Sequence, residues 1–118
     1  MNDEQLVTMF EHGTLTPDAF RHREHVRLTW LYLVRHGRPE AERRLLEGLR
    51  AFAARAGKPD KFDPALTRAW VAAIDAAMAA APCASSFDCF IAARPELLDR
   101  ASVRTGPDGI IGPVPSWQ

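Results

Sequence analysis

The sequence predicts an all-α protein: a compact bundle of three to four main helices, with short C-terminal helices and an extended Pro/Gly-rich tail. Apolar residues recur at helical spacing through most of the chain, capping residues and prolines punctuate it, and no strand-period alternation lasts beyond a few residues. At 118 residues the chain suits a single core.

Taken in order, Asn2 or Asp3 caps a first helix carrying Leu6, Val7 and Phe10, and Gly13 stops it where a left-handed residue is favoured. Thr16-Pro17 reads as the N-cap and first residue of a long second helix that runs to His36 and stops at Gly37. Within it, Trp30-Leu31-Tyr32-Leu33-Val34 covers nearly the whole circumference, which predicts burial on most sides. Pro39 opens a third, amphipathic helix with Ala41, Leu45, Leu49, Phe52, Ala53 and Ala56 on one face, ended by Gly57. After a loop from Lys58 to Phe62, Asp63-Pro64 repeats the cap-plus-proline signature ahead of Leu66, Trp70, Ile74, Ala77, Met78 and Ala81.

Pro82 ends that fourth helix. Ser85 or Ser86 caps a short helix with Phe87, Phe90 and Ile91, and Pro95 opens another with Leu97 and Leu98; the pair reads as a lid or cap. Short connections between the second, third and fourth helices favour antiparallel neighbours. Residues 1–104 are expected to form the helical domain. Residues 105–118 form a tail that glycine and proline keep extended, and its Ile110, Ile111, Val114 and Trp117 predict packing on the same domain.

Composition narrows the function classes. Fifteen basic and fifteen acidic residues leave no net field to gather nucleic acid or an anionic membrane, so neither is an expected partner. Abundant arginine and alanine match a GC-rich bacterial genome and carry no functional signal. The opening Met1-Asn2-Asp3-Glu4-Gln5 has no leader character and no segment is apolar enough to span a bilayer, so a cytoplasmic location is expected. Cys83 and Cys89 stand in a C-x5-C spacing that fits neither a zinc nor a redox motif, and both are expected to be free and reduced.

The candidate site is Phe20-Arg21-His22-Arg23-Glu24-His25-Val26-Arg27-Leu28-Thr29-Trp30. Residues three apart on a helix share a face, about 60° apart, so the His22 and His25 imidazoles can reach one ligand at the rim of the core. With a divalent transition metal the pair would supply two ligands and Asp63 a third, although no H-E-x-x-H or H-x-x-E-H pattern is present. Without metal, His22 and His25 are suited to proton transfer, with Arg27 or Arg23 anchoring an anion and Trp30, Tyr32 and Trp70 presenting edges to a cavity. His12 and His36 fall in last helical turns, where the macrodipole favours a cation, and need no functional role.

The leading expectation is a small-molecule site on the His-x-x-His helix, in a lyase- or isomerase-like proton-transfer enzyme. The alternative is a non-catalytic accessory or protein-interaction module, homo-oligomeric or bound to another protein, in which the histidine pair is structural.

The string Gly13-Thr14-Leu15-Thr16-Pro17, followed by Phe20-x-His22-x-x-His25-Val26, resembles a family of small, largely uncharacterised bacterial helical proteins. Those carry a Thr-Leu-Pro segment before an aromatic-x-His-x-x-His-Leu helix. Phe62-Asp63-Pro64-Ala65-Leu66-Thr67 is similar to a Tyr-His-x-Thr-Leu-Thr segment of that family, and Pro113-Val114-Pro115 to its proline-rich C-terminus. Asp63 stands where the family's further histidine would be. The resemblance therefore implies the helical fold without a three-histidine site, and it brings no activity with it.

Overall fold

A computed structural model of the chain describes residues 1–80 and 86–99. Among the described residues there are five α-helices, α1 (Asp3–His12), α2 (His22–His36), α3 (Arg38–Arg55), α4 (Pro64–Ala80) and α5 (Phe87–Ala93), joined in places by 3-10 turns at Pro17–Ala19, Pro59–Lys61 and Pro95–Leu98. No strand occurs among the described residues. Cys83 and the tail at 105–118, with the packing expected of it, lie outside them.

Each helix begins for a reason visible in its own residues. The Asn2 carboxamide accepts the Gln5 N–H at 2.8 Å while the Gln5 side chain accepts the Asn2 N–H at 2.9 Å, a reciprocal cap on α1. At its other end Gly13 takes φ +75° and returns its N–H to Met9 and Phe10. Asp63 caps α4, its Oδ1 accepting the Leu66 N–H at 3.1 Å. Ser86 caps α5 through the Cys89 N–H at 3.1 Å.

The long second helix expected from Pro17 is instead broken. Pro17–Ala19 makes one 3-10 turn, the Thr16 side chain makes no capping bond, and α2 starts only at His22. Phe20 leaves the helical path so that its ring, fully buried, lies 5.5 Å from Phe10 and 4.9 Å from Phe52. The Glu24 carboxylate then accepts the Arg21 N–H at 3.0 Å and restarts the helix. Burying an aromatic ring outweighs one turn of backbone hydrogen bonding here.

α2 is the central element and packs against α1, α3, α4 and α5. Leu28 through Leu33 are all buried, but Val34 is 49 % exposed, so the expected buried run ends one residue early. Gly37, at φ +78°, closes α2 and opens α3 with no intervening loop. α3 contributes Ala41, Leu45, Leu49, Phe52 and Ala53 to the core, and α4 adds Val71, Ile74 and Ala77. α5 and the Pro95–Leu98 turn cover the remaining side of α2, with Phe87, Phe90 and Leu97 buried and Leu98 left 40 % exposed. No helix among the described residues is long and apolar enough to cross a membrane.

Candidate functional site

His22 and His25 line one cavity of about 30 Å³, walled by Val26 and Thr29 of α2, Leu49 of α3, and Thr67, Trp70 and Ile74 of α4. That volume holds about two waters, or the end of a small ligand. The histidine pair and Trp70, three of the residues the sequence singled out, are thus brought together. Both imidazoles are half-buried at the mouth and the apolar residues form the floor.

Each imidazole is oriented by its surroundings. His22 Nε2 lies 2.9 Å from the carbonyl oxygen of Leu97. A carbonyl only accepts, so Nε2 carries the proton, and in the neutral ring Nδ1 bears the lone pair. The same ring meets Trp70 edge to face at a centroid distance of 4.8 Å. His25 stacks on Phe20 at 3.8 Å with 20° between the planes, which explains locally why Phe20 stands where it does. The two threonines are also committed: Thr29 Oγ1 donates to the His25 carbonyl at 2.9 Å and Thr67 Oγ1 to the Asp63 carbonyl at 3.0 Å. Their hydroxyl oxygens keep lone pairs for other partners. Thr29 and Thr67 were missed in the sequence reading, although Thr29 lies on the same helical stripe as His22 and Val26.

The structure places the other sequence-derived candidates elsewhere. Arg27 donates to the Asp3 carboxylate at 2.7 Å and to the Met1 carbonyl at 3.0 Å, and lines a separate cleft with Arg23, Ser86 and Asp88. Trp30 packs on Phe87 and Phe90 at 6.0 and 6.4 Å. Tyr32, 1 % exposed, donates its hydroxyl to Glu11 at 2.8 Å on the far side of α2. The geometry of α2 accounts for these separations: residues five, eight and ten positions beyond His22 turn away from its face.

Asp63 does not line the cavity, because its carboxylate is spent capping α4. Among the described residues no group of three His, Cys, Asp or Glu side chains is placed to hold a metal ion. With the Asp63 carboxylate used as the α4 cap, the three-ligand set of His22, His25 and Asp63 does not assemble.

Cys89 departs from expectation as well. It is disulfide-bonded and no described cysteine is free, so its thiol is not the reduced group inferred from compartment and spacing. Neither the expected compartment nor a spacing outside known motifs carries geometric information about whether two sulfurs meet.

Comparison with protein families, with curated proteins and with solved structures finds no match to this chain.

Proposed function

We propose that this chain binds a small polar molecule in the cavity between α2, α3 and α4, with His22 and His25 as its proton-handling groups, in the manner of a lyase- or isomerase-like enzyme. The observation that carries this reading is the convergence of both imidazoles on one cavity whose remaining walls are largely apolar. Such a site excludes most water while keeping two groups able to exchange protons near neutral pH. Arg27 has no part in it. A substrate would enter by its reacting end only, since about 30 Å³ admits no more.

The hydrogen bond from His22 to Leu97 supports a second reading, in which the pair is structural and the module serves another protein. A binding screen separates the two. Small amines, alcohols and carboxylic acids are titrated into labelled protein while the Thr67, Trp70 and imidazole resonances are followed, and deuterium uptake from heavy water into any ligand that binds is measured. The first reading expects at least one compound to saturate these resonances, and His25→Asn to abolish its proton exchange while the fold persists. No saturable ligand, together with a large loss of stability in His22→Asn, would establish the structural reading instead.

A further inference from the structure

Thr29 and Thr67 are the buried polar side chains among the described residues, 7 % and 5 % exposed, and both line the same cavity from different helices. Burying a hydroxyl is unfavourable unless its hydrogen bonds are made. Each donates its proton to a carbonyl one helical turn back, at 2.9 Å for Thr29 and 3.0 Å for Thr67, and each oxygen retains lone-pair capacity. The same lining carries N–H groups in the Trp70 indole and the two imidazoles, so donors and acceptors stand around one small space. Val26, Leu49 and Ile74 make up the rest of the wall and give a charged group nothing in exchange for its water.

Resting on the small-ligand reading above, we infer that the cavity receives a neutral hydroxyl head group, that of an alcohol presented oxygen first. A hydroxyl both donates and accepts, which matches a mixed lining. An ammonium only donates, a carboxylate only accepts, and each would bring a full charge against the apolar wall. Size agrees: about 30 Å³ accommodates the oxygen and its carbon, and the rest of the molecule lies outside the mouth. Thr29 and Thr67 are the residues that select for this group, through oxygens held in place by bonds to the backbone of their own helices.

The test is a magnetic-resonance titration of the full chain with 1-propanol, propylammonium and propionate, which share one body and differ in head group, at constant ionic strength. 1-Propanol is expected to shift the Trp70 indole and Thr67 signals saturably, and at lower concentration than either ion. Thr67→Val keeps the side-chain shape and removes the hydroxyl, while the Asp63 carbonyl keeps the backbone N–H of position 67 as a donor at 3.0 Å. This variant should bind 1-propanol about three- to tenfold more weakly, and Thr67→Ser should bind it nearly as the parent does. Tighter binding of propylammonium or propionate than of 1-propanol would overturn this inference and leave the small-ligand reading standing, as would saturation in the wider screen by amines or carboxylates alone. Equal 1-propanol affinity in Thr67→Val and the parent would also overturn it. Absence of any saturable ligand, in this set and in the wider screen, would remove both.

Discussion

Replacing Gly48 by alanine should destabilise the protein, against the sign that helix propensity alone gives. Gly48 lies inside α3, where alanine is favoured over glycine by about 1 kcal/mol. A Cβ at this position, however, would sit 2.4 and 2.5 Å from Cε2 and Cζ of Phe10. Ordinary contact begins near 3.4 Å, so the ring must retreat by roughly 1 Å. Its retreat is restricted by neighbouring rings: Phe10 is 2 % exposed, with the Phe20 ring at 5.5 Å and the Tyr32 ring at 6.4 Å. Overpacking of this kind costs about 1–3 kcal/mol. Set against the propensity gain of about 1 kcal/mol, the net loss is up to about 2 kcal/mol, and a loss of about 1 kcal/mol is enough to lower Tm by several degrees. Urea unfolding followed by helical circular dichroism would read it as a lower midpoint at unchanged slope. In a Phe10→Leu background the same substitution should cost less, because a shorter side chain clears the new methyl; the cycle isolates the contact. A midpoint for Gly48→Ala at or above that of the parent would show that α1 does not press on α3 as described.

Tyr32, the chain's single tyrosine, gives a clean optical titration. Burial first, then the hydrogen bond and charge of Glu11, hold its hydroxyl well above the ordinary value of 10.0. The folded state keeps the proton longer than the unfolded state, so this contribution to stability is whole below pH 10 and is lost as pH rises beyond it. Phenolate absorbance should therefore appear together with alkaline unfolding, and a normal titration in folded protein would contradict the Tyr32–Glu11 contact. Asp63→Ala should cost about 1 kcal/mol through the lost cap while leaving cavity ligands bound, whereas lost binding at unchanged stability would return Asp63 to the site. Cys89 should resist iodoacetamide in denatured protein until a reductant is added, and labelling before reduction would contradict its disulfide.

Helix order and most of the core were legible in the sequence because they depend on local signals: Asn2, Gly13, Asp63 and Ser86 act on residues within one or two turns. The break at Phe20 was not legible, since Thr16-Pro17 is a valid helix start and only the tertiary partners Phe10 and Phe52 draw the ring out of line. The common face of His22 and His25 followed from their spacing, and Trp70 from its place on an adjacent helix. Arg27 and Tyr32 lie away from this cavity for a different reason: they are turned to other faces of α2, where Asp3 and Glu11 hold them. Gly48 and Thr67 carry no composition signal. Each matters through one contact across helices, with Phe10 in the first case and the shared cavity in the second.

Structural and chemical roles for His22 are not alternatives in physical terms. The Leu97 carbonyl belongs to the turn that closes the far side of α2, and Leu97 itself is 4 % exposed, so the hydrogen bond ties that turn to the first residue of the helix. The same bond fixes which ring nitrogen holds the proton, and an imidazole with a fixed tautomer is a better proton acceptor at a defined position than one free to rotate. His22→Gln tests this coupling, because its carboxamide N–H can still donate to Leu97 but cannot take up a proton. Retained stability with lost proton exchange in a bound ligand is the expected outcome. Retained exchange would place the chemistry on His25 alone, stacked on Phe20, and reduce His22 to the residue that holds the turn.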